Sequence, residues 1–220
     1  MRVLSIPAFG LAFCLTSAVG SASAQPKRPA ITGISHMCVY SADANASERF
    51  YARILGAVKG PDPLDANGAR YYFSPTQFVE VLPLPAEHGI SRMACVAYNT
   101  QDADGLLHYM RTHTVAGLNL DGLSELRTES DGSRWFQVKD PEGNLVRFIQ
   151  PGRPIAMAPG ARPIGTRIIH VGYVVHNRAA EDRFYKEMLG FGPIGLAPNS
   201  RTVWIGFLNR YPTGTTGLNT

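Results

Sequence analysis

Ile34-Ser35-His36-Met37-Cys38-Val39-Tyr40 leads into Glu48-Arg49-Phe50-Tyr51-Ala52-Arg53-Ile54-Leu55-Gly56, and the same design returns as Ile168-Ile169-His170-Val171-Gly172-Tyr173 before Asp182-Arg183-Phe184-Tyr185-Lys186-Glu187-Met188-Leu189-Gly190. His36, Phe50, Leu55 and Gly56 each recur 134 positions later, so one structural unit is used twice. A weaker statement lies between them. Met93-Ala94-Cys95-Val96-Ala97-Tyr98 precedes Leu106-Leu107-His108-Tyr109-Met110, with Cys95 standing 14 residues before Tyr109 as His36 stands 14 before Phe50. Each copy opens on a short strand, which carries an imidazole in the first and third copies and a thiol in the second.

Working outward, residues 31–40 alternate as a half-buried strand does, with Ile34, His36, Cys38 and Tyr40 on one face and Met37 and Val39 on the other. Residues 48–55 have helical spacing, with Asn45 or Ser47 able to cap and Gly56 to end the helix. Residues 58–62, 69–74 and 77–82 read as strands, the last closed by Pro83 and Pro85. The second copy has a helix near 102–113 and a hairpin of 133–139 with 145–150 around Asp140-Pro141-Glu142-Gly143-Asn144, a type I turn. In the third copy the spacing predicts a strand at 167–175, a helix at 179–189 and a strand at 202–208. The expected architecture is α+β: tandem strand-helix-three-strand modules at 31–85 and 88–151, paired, then a Pro/Gly linker at 152–165 and an incomplete module at 166–220.

Composition bounds the rest. With 220 residues, 45% of them hydrophobic, the chain can bury a core. Residues 1–24 have a basic start, an apolar run and Ala22-Ser23-Ala24, the pattern of a secretory signal peptide; a periplasmic or secreted location is expected. That run is too short to span a membrane. Cys38 and Cys95 remain after it, too few for a disulfide-dense scaffold. The net charge of +4 is spread among alternating acids and bases, which excludes the clustered basic face of a nucleic-acid binder.

A strand with His, a helix of the type E-R-F-Y-x-x-x-L-G, and strands ending in x-V-E-V or D-P-E-G-N-L-V-x-F resemble the vicinal oxygen chelate superfamily of glyoxalases, bleomycin-resistance proteins and extradiol dioxygenases. The resemblance covers nearly all of 31–220. It implies paired modules forming a cup, with a divalent cation (Fe, Mn, Ni, Zn or Co) held by a first-strand His and a last-strand Glu from each module. His36 and Glu80 match in the first module, Glu80 also being the catalytic candidate, and His170 matches in the third. The second module departs at both places, with Cys95 and Arg147. A guanidinium stays protonated and repels a cation, by about 4 kcal/mol per pair of unit charges at ~4 Å and an effective dielectric near ~20.

Each candidate carries a plainer reading beside the ligand one. His36 could be a core histidine bonded to backbone, and Glu80, among apolar neighbours, needs either a metal or a salt bridge to Arg147. Cys95 is more often a small buried hydrophobe than a ligand. Arg147, with Tyr40 and Phe78, could line a substrate site. Three functions follow: an exported metal-dependent lyase, isomerase or dioxygenase acting on a small oxygen-bearing molecule; a metal-free ligand-binding protein; or a shortened, inactive copy of a four-module enzyme. An incomplete third module would leave Ile168, Val174 and Trp204 uncovered, and self-association through 166–220 is expected from that.

Overall fold

The computed structural model describes residues 27–196 together with the backbone of 203–206. Among the described residues ten strands and three helices follow one another as β1 (Ile31–Ser41), α1 (Ala44–Glu48), β2 (Val58–Pro61), β3 (Ala69–Tyr72), β4 (Phe78–Pro83), β5 (Met93–Thr100), α2 (Ala103–Thr112), β6 (Arg127–Thr128), β7 (Arg134–Lys139), β8 (Leu145–Gln150), α3 (Arg178–Asp182), β9 (Gly192–Leu196) and β10 (Val203–Gly206). α1 and α3 each run on into a widened π-helical turn, Arg49–Ile54 and Arg183–Met188. β1 to β8 form one mixed sheet in the order β2-β3-β4-β1-β5-β8-β7-β6, and β9 and β10 pair separately.

The two halves of the sheet repeat one pattern. β1 runs parallel to β4 and β5 parallel to β8, while β1 and β5 meet antiparallel at the centre. In the first half Cys38 pairs with Glu80; in the second Ala97 pairs with Arg147, so Glu80 and Arg147 hold equivalent places. The α+β class and the strand-helix-three-strand plan expected from the sequence are what the structure shows.

One face of the sheet is covered by helices. Val96, Tyr98, Phe136, Val138, Val146 and Phe148 pack against Leu106, Leu107 and Met110 of α2 and against Phe184, Met188 and Leu189 from the third repeat. A smaller cluster of Tyr71, Val79 and Val81 takes Met37, Val39, Tyr51 and Leu55. Ile34 was expected to share a face with His36; it joins the helix-side core instead, because the β1–β5 register shifts between Ile34 and His36 and a shift of one residue exchanges the faces.

The first helix begins earlier than its spacing predicts. Its cap is Asp43, whose carboxylate accepts from the Ala46 amide at 2.9 Å, in place of Asn45 or Ser47. Gly56 ends the repeat at φ 72°, a left-handed conformation that glycine adopts without Cβ strain.

The largest departure is in the third repeat. Residues 167–175 form no strand: they run as irregular chain, with Ile168, Val171 and Tyr173 resting on the core while Ile169 and Val174 are exposed. β1 is a strand because β4 and β5 flank it. No equivalent of either partner flanks 167–175 among the described residues, and sheet hydrogen bonds cannot be made by one segment alone. Ile168 is therefore half-covered rather than bare, Val174 is exposed as expected, and the Trp204 side chain lies outside the described residues, as do 1–26 with the expected signal peptide. Among the described residues no helix is long and apolar enough to cross a membrane.

Candidate functional site

The face of the sheet opposite the helices gathers the polar residues. Glu80 is fully buried in the middle of β4. Arg70, its antiparallel neighbour on β3, donates from Nε at 3.1 Å and approaches with Nη2 at 3.0 Å, both to Oε1; Arg147 on β8 donates to Oε2 at 2.9 Å. Both carboxylate oxygens are thus held by guanidinium groups. Arg70 also lies 3.6 Å from Asp62 and 3.4 Å from Glu129, and Arg147 lies over the Trp135 ring at 5.1 Å. Burial pushes the Glu80 carboxyl up, and the two guanidinium groups pull the other way.

His36 is buried beside this cluster, stacked on Phe78 with ring centroids 4.2 Å apart. Its Nδ1 lies 3.1 Å from Ser35 Oγ, and its Nε2 has no hydrogen-bond partner among the described residues. Burial, reinforced by Arg147 and Arg70, holds the imidazole well below its usual range, so it is neutral.

Cys38 and Cys95 face each other across the β1–β5 seam and are joined in a disulfide. The bond links residues 57 apart, and a loop of that length contributes roughly 4 kcal/mol in the chain-entropy account. Cys38 Sγ lies 3.1 Å from Glu80 Oε2 and 3.7 Å from Arg147 Nη1.

His36, Cys38, Glu80 and Cys95 form a group whose potential ligand atoms all lie within 4.8 Å of one another, a set that could hold a metal ion. The state of these atoms decides the fit. With the disulfide closed, neither sulfur is a thiolate, and the charge of Glu80 is already balanced by two guanidinium groups. The residues do not fit a divalent cation in that state.

Of the residues marked by the sequence, His36, Glu80, Cys95 and Arg147 come together here. His170 lies elsewhere, on the exposed irregular segment of the third repeat, and is not part of this group. Phe78 lines a cleft of about 60 Å³ with Ser35, Tyr72, Asn99 and Ile149, roofed by residues 151–155. Neither Tyr40 nor Arg147 is among its walls. Arg70 is not among the residues the sequence singles out, although the hairpin at Ser74 to Thr76 places it directly across from Glu80. Cys38 shares the polar face of β1 with His36, and nothing in the spacing alone joins it to Cys95.

Known structures share this architecture. A homoprotocatechuate 2,3-dioxygenase variant from B. fuscum is 18% identical, with a TM-score of 0.61 over 82% of this chain and 52% of its own. The enzyme of the same name from Arthrobacter globiformis is 19% identical, with a TM-score of 0.59 over 83% and 58%. This chain has the vicinal oxygen chelate fold. It spans little more than half of either dioxygenase. A methylmalonyl-CoA epimerase from Mycobacterium tuberculosis aligns at 17% identity over 56% of this chain and 89% of its own, with a TM-score of 0.44. No family model and no curated protein sequence matches the chain.

Proposed function

We propose that this chain is an exported small-molecule-binding protein on the vicinal oxygen chelate plan, and that with its disulfide closed it binds its ligand without a divalent cation. The observation that carries this reading is the sealing of Glu80: the carboxylate that could hold a metal is held by Arg70 and Arg147, at 3.0 and 2.9 Å. With both sulfurs locked in the disulfide, a divalent cation there adds positive charge beside two guanidinium groups with no thiolate to offset it. The disulfide agrees with the oxidising compartment that residues 1–24 lead one to expect. The cleft is walled by the aromatic side chains of Phe78 and Tyr72 and by the polar side chains of Ser35 and Asn99, which suits a small planar molecule with polar substituents. Isothermal titration of the oxidised, EDTA-treated protein with phenols and aromatic carboxylates tests the reading. Binding should be unaffected by EDTA and weaker in Phe78→Ala. Binding that appears only when metal is added to the oxidised protein would refute it.

The same repeats support self-association through the third module. β1 and β5 pair antiparallel with Met37 opposite Val96, and these are equivalent positions of two repeats. The third-repeat equivalent is Val171. Two copies of this chain joined through residues 167–175 would repeat that pairing with Val171 opposite Val171 of the second copy, giving each segment the antiparallel neighbour β1 has in β5 and covering Ile169 and Val174. Light scattering should show a dimer at micromolar concentration, and Val171→Pro, which removes an amide from the ladder, should shift it to monomer. A monomeric native chain would count against this.

A further inference from the structure

The four residues at the β1–β4–β5 seam make an uncommon combination. Two sulfurs, an imidazole nitrogen and a carboxylate within 4.8 Å of one another are the donor mix of a tetrahedral zinc site. All four residues are buried. Ser35 occupies His36 Nδ1, which leaves Nε2 as a buried nitrogen with no partner among the described residues. The bond between Cys38 and Cys95 withholds both sulfurs from the set.

We propose that the Cys38–Cys95 disulfide is a redox gate on a metal site: a low-molecular-weight thiol opens it, and the freed sulfurs join His36 and Glu80 in holding a thiophilic divalent cation such as Zn²⁺. The exchange balances. Two equivalents of the external thiol supply two electrons and two protons, the protein S–S bond breaks, two protein thiols form, and the external thiol leaves as its own disulfide. Cation binding then displaces the two thiol protons.

Charge explains why the guanidinium groups forbid a cation in the closed state and tolerate it in the open one. Two thiolates and a divalent cation together add no net charge, so Arg70 and Arg147 face the same total as they do beside the disulfide. Arg70 takes Glu80 Oε1 with both Nε and Nη2, but Oε2 accepts only one arginine bond, from Arg147, so Glu80 can bind the cation through the second position of Oε2 while keeping its bonds to both arginines. The inference goes beyond the ligand-binding reading and does not need it: the planar-ligand cleft could be wrong and the gate still operate.

The experiment compares one protein in two states. EDTA-treated chain, either with its disulfide intact or reduced with a phosphine and desalted without oxygen, is titrated with Zn²⁺ by calorimetry and with Co²⁺ by absorption spectroscopy. The reduced protein should take up one cation per chain and develop a thiolate-to-cobalt charge-transfer band, and the oxidised protein should do neither. Cys95→Ser, reduced, should bind Zn²⁺ at least about tenfold more weakly, since losing a direct ligand costs no less than losing an outer-shell partner. Equal uptake in both states overturns the proposal. So does no uptake after reduction, whether the fold survives by circular dichroism or is lost. Should Cys95→Ser not fold, the comparison of the two states of the native chain decides alone.

Discussion

The helix beginning at Ala44 and the helix beginning at Arg178 are two versions of one repeat, and they differ sharply in what covers them. Each is capped by a side chain one residue before its start, Asp43 accepting from Ala46 and Asn177 from Ala180. Each widens into a π turn, closed by Leu55 N–H to Phe50 C=O and by Leu189 N–H to Phe184 C=O, both at 3.0 Å. Yet Phe50 and Ile54 are 48% and 69% exposed, while Phe184 and Met188 are 0% and 2% exposed. The preceding segments differ the other way: β1 is a central strand, and 167–175 is not a strand at all. A helix closes its own hydrogen bonds and survives a change of neighbours; a strand borrows them and does not.

Truncation should separate the helices most. Phe184→Ala should cost about 3–5 kcal/mol of unfolding free energy, the range for emptying a buried aromatic site. Phe50→Ala should stay within about 0.5 kcal/mol, as for ordinary surface positions. Urea denaturation of both variants measures the gap; an equal loss would mean that the α1 face is covered in solution.

The caps should behave alike. Asp43→Ala and Asn177→Ala should each destabilise by about 1 kcal/mol, since each removes one side-chain acceptor from one helix start. A large inequality between them in the same assay would show that the helices are not locally specified.

A further expected difference is electrostatic and belongs to the third repeat alone. Burial, with Asp140 and Glu142 nearby, pushes the Glu181 carboxyl up to about 7. The folded state then keeps a proton that the unfolded chain releases near ~4.3, so this group's contribution to stability falls as pH rises from there to about 7 and is level above. Glu181→Gln removes the slope: its melting temperature should match the native chain near pH 5 and exceed it at pH 8. A pH-independent difference would show that Glu181 is not the titrating group.

These contrasts mark what the residues could tell in advance. The repeat made the modules and their helices legible, because both depend on periodicity and local stops. His36, Glu80 and Arg147 were legible as one cluster because their strands share a face. The Cys38–Cys95 bond was not, since it depends on the register of two strands from different modules, and a bulge beside His36 reset that register. Arg70 could have been found by counting back through the hairpin from Glu80. The missing strand at 167–175 could not, because its residues are those of a strand and the deficit is in its neighbours.

Gln77 joins these regions through one side chain. Its Nε2 donates to the Ile34 carbonyl at 2.7 Å and to the Ile168 carbonyl at 3.4 Å, while its Oε1 accepts from the Ile168 amide at 3.1 Å. A primary amide can give and take at once, which no carboxylate or ammonium can do. Whatever pulls on the third repeat therefore tugs on the backbone two residues from the buried imidazole, and a single-atom exchange, Gln77→Glu, would uncouple them.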